Sequence, residues 1–283
     1  GGRIVRNDLE IFLNKSSTGH DNLQTFTQDY EKNNSETTEA SFGSGEDAEL
    51  TFSGRKFDSV AMSKIRKIIA KRLTNSKQTI PHFYLRRTIN VQKLLNLRSD
   101  INNIYGADGI KISINDFIIK ACSKALQEHP NCNLIWANDK LLRLHPSDIA
   151  VAVSIEDGLV TPVLRDVELK SLKQIHLEMK EFVKKAKNKS LLPHEYTGAS
   201  FAISNLGMMG IENFDAVINP PQSSILAVGA CVKKPIAVSK KIKLRTVMSV
   251  TLSVDHRVID GAVGANFLET IVKYLEEPMT LII

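Results

Sequence analysis

The sequence has no long apolar run and no sign of a membrane anchor. None of the apolar stretches in its 283 residues approaches the roughly 20 residues that a membrane-spanning helix requires. No signal-peptide pattern opens it. Residues 1–4 read GGRI and do not begin with Met, so we interpret the sequence as a fragment and attach no weight to the missing leader. We expect no membrane association.

Cysteine is scarce. The three residues, Cys122, Cys132 and Cys231, are odd in number and show no CxxC spacing. This excludes a disulfide framework and a cysteine metal site, and it fits a reducing compartment. We expect all three to be small buried hydrophobic residues.

The short motifs of several large enzyme classes are also missing. There is no GxxxxGK[ST], no GxGxxG after a strand, no HExxH and no GxSxG, which argues against P-loop, dinucleotide-binding, zinc-protease and serine-hydrolase sites. No zinc-finger, RNP-type or helix-turn-helix pattern occurs, so we expect no nucleic acid partner.

Charge is distributed unevenly. Residues 14–50 contain eight acidic and two basic side chains, a net charge of −6. Since the whole chain has a net charge of +6, the remaining residues carry +12. A basic remainder suits a phosphate-bearing ligand. Residues 14–56 are polar and aperiodic, which predicts a flexible linker between residues 1–13 and a domain at residues 57–283. At 42% apolar, the chain can build a sizeable core.

Helical and strand patterns alternate after the linker. Apolar spacing predicts five helices, at residues 63–73, 91–101, 114–125, 172–186 and 262–275. Strands are predicted at residues 80–85, 148–155, 159–164, 199–203 and 247–253. Ser113 with Asp116 is a predicted helix cap, and Pro162 places its strand at a sheet edge.

Residues 254–261 read VDHRVIDG and carry the strongest chemical signal. His256 follows a predicted buried strand, and Asp260 lies four residues later, before a helix. A neutral imidazole can accept a proton near pH 7. A lone histidine in this position is more often structural, as we expect for His82. We expect His176 and His194 to be exposed.

A second candidate is Ser204, at the end of the predicted strand 199–203. It is followed by a glycine-rich bend, NLGMMG. A hydroxyl at such a place can donate a hydrogen bond to an oxyanion, although an ordinary turn serine fits the same pattern.

Taken together, these stretches resemble the 2-oxo acid dehydrogenase acyltransferases, the E2 components that transfer an acyl group from lipoamide to coenzyme A. DHRxxDG resembles their active-site signature, and chloramphenicol acetyltransferase, a relative, has a looser HxxxDG. Four further stretches also resemble that family and occur in its order: IRKIIAKRLTNSK at 65–77, PHFYL at 81–85, FAISNLGMMG at 201–210 and INPPQSSILAVG at 218–229.

The resemblance covers residues 57–283 and implies an α/β two-layer sandwich of the chloramphenicol acetyltransferase-like type. Such domains trimerise, build a hollow cubic or dodecahedral core and share each active site between subunits. The resemblance further implies that His256 is the base, that Ser204 donates a hydrogen bond to the oxyanion, and that Asp260 supports the loop or the imidazole. Asp255 and Arg257 would form loop-fixing ion pairs, and no metal is required. Residues 1–13 resemble the last third of a peripheral subunit-binding domain.

The implied substrates are coenzyme A and lipoate on a lipoyl domain that this chain lacks. The implied partners are that lipoyl domain and the E1 and E3 components, in the bacterial cytoplasm or the mitochondrial matrix. Residues 212–218, ENFDAVI, resemble the pyruvate-type members, so we favour acetyl transfer. Succinyl or branched-chain specificity, a non-catalytic core or tether protein, and a free-standing acetyltransferase are the alternatives.

Overall fold

A computed structural model describes residues 49–106, 109–156, 158–238 and 240–282. The chain divides into two compact units, Gly1–Ala61 and Met62–Ile283. The predicted binding-domain remnant at 1–13 and most of the predicted linker at 14–56 lie outside the described residues. The strands and helices that form the sheet and its core belong to the second unit.

The described residues of this unit form ten strands. In chain order they are β1 His82–Asn90, β2 Leu134–Ala137, β3 Lys140–Arg143, β4 Ile149–Val151, β5 Val153–Ile155, β6 Gly158–Val160, β7 Val163–Leu164, β8 Phe201–Asn205, β9 Ser224–Val238 and β10 Lys241–Asp255. Six of them form one mixed sheet in the order β1-β10-β9-β8-β4-β7. Strands β9, β8 and β4 run parallel to one another, while the remaining neighbours are antiparallel. Two hairpins, β2–β3 and β5–β6, stand apart from this sheet.

Five α-helices accompany the strands in the described part of Met62–Ile283. They are α1 Lys64–Thr79, α2 Gln92–Tyr105, α3 Ile114–Glu128, α4 Leu172–Lys187 and α5 Gly261–Glu276. All five were predicted, and each extends beyond its predicted end. The predicted cap of α3 is present, because the side chains of Ser113 and Asp116 bond each other's backbone N–H. None of the helices in the described ranges combines the length and apolar character needed to cross a membrane.

The two faces of the sheet have different cores. Phe201 and Ile203 of β8 point to one face, where they join a large cluster with residues of α2 to α5. Ala202 lies between them and points to the other face, into a smaller cluster with Ile225 and Ala150. The helices on the first face form the second layer, which confirms the predicted α/β two-layer sandwich.

Helix α1 lies on the second face. Ser76 Oγ donates to the Ile218 carbonyl at 2.5 Å, and Arg72 Nη2 donates to the Pro220 carbonyl at 2.7 Å. These bonds attach the helix to the segment that leads into β9. Its apolar residues are poorly covered in a single chain, and Ile68 is 59% exposed.

The predicted hairpin of residues 148–164 forms, but it is divided in two. Strand β4 pairs with β7 at the edge of the main sheet, as Pro162 indicated, whereas β5 and β6 pair only with each other. The break comes at Ala152, whose N–H donates to the Ile203 carbonyl at 2.8 Å. Asp157, in the predicted turn, lies outside the described residues.

Two predictions of burial were wrong. Cys122 and Cys132 are buried, and burial raises the pKa of the Cys132 thiol to about 12, but Cys231 is exposed. At Cys231, β9 extends past the helical layer and its burial ends. His176 is not exposed either, because its Nδ1 lies 3.0 Å from the buried Asp116 carboxylate; His194 is exposed as predicted.

A close backbone crossing fixes the loop that follows β8. Gly229 in β9 lies beneath residue 212, and a Cβ on Gly229 would stand 2.0 Å from the Glu212 carbonyl oxygen. Ala230 N–H donates to the Ile211 carbonyl at 2.8 Å, and Leu206 N–H donates to the Val228 carbonyl at 3.1 Å. Glycine at position 229 therefore allows the loop to bond directly to the strand.

We predict that Gly229→Ala destabilises the domain by roughly 2–4 kcal/mol, because backbone must move to admit the methyl group. Gly106→Ala is the matched control, since a Cβ there meets nothing within 4 Å and φ is −65°. Urea denaturation of both variants measures the difference. Equal stability of the two variants would contradict the crossing.

Candidate active site

The backbone around His256 is held from two sides. Strand β10 ends at Asp255, whose N–H donates to the Ser223 carbonyl at 2.8 Å, and the His256 N–H donates to the Pro81 carbonyl at 3.0 Å. The imidazole is exposed and meets the edge of the Phe83 ring with 5.2 Å between centroids. Its position is therefore fixed while its ring nitrogens remain open to a ligand.

Asp255 and Arg257 form the ion pair that the sequence predicted. Arg257 Nη2 lies 2.7 Å from Asp255 Oδ2 and Arg257 Nε lies 3.0 Å from Oδ1, while the Arg257 N–H also donates to Oδ1 at 3.0 Å. The hydrogen bond to Asp255 raises the pKa of Arg257. The guanidinium stacks over Trp136 of the β2–β3 hairpin, 4.7 Å from the ring centroid. These contacts clamp the turn that carries His256.

Asp260 is the N-cap residue of α5, and its carbonyl accepts from Gly264 N–H at 2.9 Å. Its carboxylate is on the exposed surface and makes no hydrogen bond to any residue that the structure describes. A single chain therefore does not bond Asp260 to the His256 imidazole or to the loop. The negative charge at the N-terminus of α5 is favourable for the helix.

Ser204 is the next-to-last residue of β8, at the strand end as predicted, and is half-buried. Its backbone pairs with Ala227, and within the described ranges its hydroxyl has no hydrogen-bond partner. The next residue, Asn205, accepts from the Gly207 N–H at 2.9 Å and so shapes the bend. The Ser204 hydroxyl is thus oriented by a strand and free to donate.

Strand register separates Ser204 from His256 within one chain. Ser204 pairs with Ala227 of β9, and Ala227 pairs with Thr251 of β10. His256 lies five residues beyond Thr251, which at the usual strand rise and spacing puts the two Cα atoms about 19 Å apart. One copy of the chain does not bring the base and the oxyanion donor together.

Ser204 lines a cavity of about 650 Å³ on the second face of the sheet. Most of its wall is apolar and comes from α1, the β5–β6 hairpin and the segment before β9. The polar lining residues besides Ser204 are few: Arg66, Arg72, Thr161, Tyr196, Asn219 and Gln222. The stretch at 218–229 stands out in the sequence by its resemblance to the family. The sequence does not indicate a role for Asn219 or Gln222, because burial next to a cavity is a tertiary property.

His82 has the structural role that was predicted. Its Nδ1 lies 2.9 Å from the Ile80 carbonyl, and its Nε2 accepts from the Ile218 N–H at 3.1 Å. Both ring nitrogens are therefore engaged by backbone groups, with the proton on Nδ1. His82 holds the segment before β9 against β1.

The family model of the 2-oxoacid dehydrogenases acyltransferase catalytic domain matches residues 54–283. A Rickettsia conorii protein is 52% identical over 225 residues, which are 79% of this chain and 55% of that protein. It is named as the dihydrolipoyllysine-residue acetyltransferase component of the pyruvate dehydrogenase complex. The chain thus spans about half the length of the curated relatives it matches.

Two solved structures are similar to this fold. One is the cubic core of a pyruvate dehydrogenase multienzyme complex, and the other is the dihydrolipoamide acetyltransferase of Azotobacter vinelandii. Each has a TM-score of 0.78 and 31% identity, and covers 81% of this chain and 95% of the solved chain.

The Azotobacter enzyme was investigated for the catalytic role of a serine, a histidine 52 positions later and an asparagine four positions after that. Ser204, His256 and Asp260 have the same two spacings. The third position differs, because this chain has a carboxylate where that enzyme has an amide.

We predict that Arg257→Ala lowers the free energy of unfolding by about 1–3 kcal/mol. The Asp255 carboxylate, only 2% exposed, would keep a backbone N–H as its sole partner. Arg87→Ala is the control, because Arg87 is exposed and has no ion pair among the described residues; it should change stability by less than about 0.5 kcal/mol. Thermal and urea unfolding measure both. An unchanged free energy of unfolding in Arg257→Ala would show that the Asp255–Arg257 ion pair does not stabilise the fold.

Proposed function

The chain belongs to the 2-oxoacid dehydrogenase acyltransferase family, and from that premise we propose that it transfers an acetyl group from the lipoamide arm of a lipoyl domain to coenzyme A. The observation that carries this proposal is the pair of open groups, the His256 imidazole and the Ser204 hydroxyl, at strand ends of this fold. Both are oriented by backbone bonds, and neither side chain is hydrogen-bonded to another residue in the described ranges.

His256 acts as the general base. A thiol has an ordinary pKa of about 8.5, so only a few per cent is ionised at pH 7 and a base that takes the proton accelerates attack on the acyl carbonyl. In the forward direction His256 takes the proton from the thiol of coenzyme A. It later returns this proton to the departing sulfur of dihydrolipoamide, so its protonation state is restored.

Ser204 donates a hydrogen bond to the oxygen that becomes negatively charged in the tetrahedral intermediate. Asp260 supports the imidazole or its loop; because its carboxylate has no bond within the described ranges of one chain, that support comes from the assembled site. The cavity binds the substrate, because its apolar wall can hold a flexible thiol-bearing arm and exclude water. No step needs a metal.

A site shared between subunits follows from the separation of about 19 Å between Ser204 and His256. We propose a homotrimer in which the base of one copy meets the hydroxyl of its neighbour. The uncovered apolar residues of α1, with Ile68 59% exposed, are consistent with a neighbouring copy over the second face. Trimers then build the larger core, with the E1 and E3 components and the lipoyl domain as partners, in the bacterial cytoplasm or the mitochondrial matrix.

Succinyl and branched-chain transfer are the alternatives within the family. Rates with acetyl-, succinyl- and isobutyryl-coenzyme A and free dihydrolipoamide separate them. The names of the similar proteins favour acetyl. A non-catalytic core protein is disfavoured by the presence of Ser204, His256 and Asp260 together.

We predict that His256→Ala lowers kcat about 10²–10⁴-fold and leaves coenzyme A binding nearly unchanged, because the imidazole acts on the thiol proton. Ser204→Ala should lower kcat about 10²–10³-fold. The two losses should not multiply in the double variant, since both groups act on one transition state. The assay is acetyl transfer between acetyl-coenzyme A and dihydrolipoamide. Full activity of His256→Ala would rule out this mechanism.

A mixing experiment tests the shared site. When the two inactive single variants are dissociated and reassembled together, some interfaces pair an intact His256 with an intact Ser204, so activity should return in part. Reassembly of each variant alone is the control and should stay inactive. Mixed trimers that are shown to form but remain inactive would overturn the shared site and leave the roles of the two residues standing.

A further inference from the structure

One polar side chain at the cavity has an oxygen that no residue in the described part of the chain hydrogen-bonds. Gln222 is 4% exposed, and its Oε1 is fully enclosed without a hydrogen-bond partner. Among the described residues three other buried hydroxyl oxygens also lack partners, on Ser123, Ser224 and Ser253, but none of those residues lines the cavity. Gln222 is therefore the enclosed, unbonded polar group that adjoins the Ser204 site.

The position of Gln222 is well determined. Its N–H donates to the Asn219 carbonyl at 3.2 Å, and the next residue, Ser223, donates its N–H to the Ser200 carbonyl at 3.0 Å. The Ser223 hydroxyl also bonds the Leu134 carbonyl at 2.5 Å. These bonds hold the backbone, so the side chain cannot easily leave the cavity to reach water.

An enclosed amide oxygen without a partner has lost its hydrogen bonds to water without replacing them, which is destabilising. Such a cost is usually removed by a water, a ligand or a neighbouring chain. A carboxamide accepts at its oxygen and donates at its nitrogen, so it matches another amide in both roles. Asn219, in the same wall, is also without a side-chain hydrogen bond within the described ranges.

Distance limits what such a ligand group can be. Gln222 lies five residues before Ala227, the residue that pairs with Ser204, so at strand rise and spacing the two Cα atoms are roughly 17 Å apart. Both side chains line the same cavity, and together they can shorten this gap to roughly 10 Å. An extended chain advances about 1.2 Å per bond, so a sulfur at Ser204 and an amide at Gln222 are joined by about seven to nine bonds.

We propose that Gln222 is a specificity-determining residue that hydrogen-bonds an amide of the thiol-bearing arm while its sulfur lies at Ser204. This inference rests on the proposed transferase function and names the group recognised by that site. Two arms contain such an amide. In dihydrolipoamide the amide nitrogen lies nine bonds from the terminal sulfur, and in the pantetheine arm of coenzyme A the second amide nitrogen lies seven bonds from the sulfur.

The test combines one variant with substrates that lack the amide N–H. The assembled protein is assayed with dihydrolipoamide and with the methyl ester of dihydrolipoic acid, using acetyl-coenzyme A as the donor. The donor is then varied as a pair, acetyl-pantetheine against the acetyl thioester of N-acetylcysteamine, which ends before the second amide, so that neither donor carries the nucleotide of coenzyme A. Gln222→Met keeps the length of the side chain and removes the amide. Thr161→Val, which removes a hydroxyl from the same wall, is the matched control.

The wild-type protein should prefer one amide-bearing arm over its shortened or esterified analogue by roughly 5- to 100-fold in kcat/KM. Gln222→Met should abolish that preference by slowing only the amide-bearing substrate, and Thr161→Val should retain it. A preference lost for the lipoyl pair assigns Gln222 to dihydrolipoamide, and one lost for the thioester pair assigns it to coenzyme A.

An active wild-type protein with no preference for either amide overturns the inference alone, even if Gln222→Met does not fold. A preference that Gln222→Met leaves intact does the same. Equal losses with all four substrates, together with a change in trimer mass, would show that Gln222 serves assembly instead. A wild-type protein without transferase activity removes the proposed function and this inference with it.

Discussion

The antiparallel pairing of β9 with β10 is the constraint on which the rest of the molecule depends. These are its two longest strands, and their register connects β1 on one side with β8 on the other. The same register puts Ser204 and His256 at different heights on the sheet, about 19 Å apart. The proposed reaction uses both groups on one carbonyl, so the proposed site needs a second copy of the chain.

Each of the two proposed catalytic groups is held through backbone bonds to a neighbouring segment. His256 is bonded through its N–H to Pro81, and Ser204 is paired with Ala227. The strong side-chain contacts fall on neighbours with no proposed chemical role, above all the Asp255–Arg257 pair beneath Trp136. This division keeps the two proposed groups ordered and leaves their side chains without hydrogen bonds in the described ranges, a preorganisation that electrostatic catalysis requires.

The second face of the sheet is incompletely covered in a single chain. The first face buries a large apolar cluster under four helices, while the second has a small cluster, a cavity of about 650 Å³ and the partly uncovered helix α1. The enclosed Gln222 Oε1 also lies on this side, without a partner among the described residues. Incomplete burial and unmet hydrogen bonds occur together here, as expected of a surface that functions only with substrate and neighbour in place.

The sequence by itself determined the helices, most of the strands but not the β2–β3 hairpin, the cap at Ser113, the edge position of Pro162 and the identity of the candidates His256 and Ser204. These depend on periodicity and on contacts between residues close in the chain, which a sequence displays directly. Only the tertiary structure decided that Cys231 is exposed, that His176 meets Asp116, that Gly229 admits the loop at residue 212, and that Gln222 is enclosed. Those properties depend on which distant segments share a face and on strand register, and register is set by packing across the whole sheet.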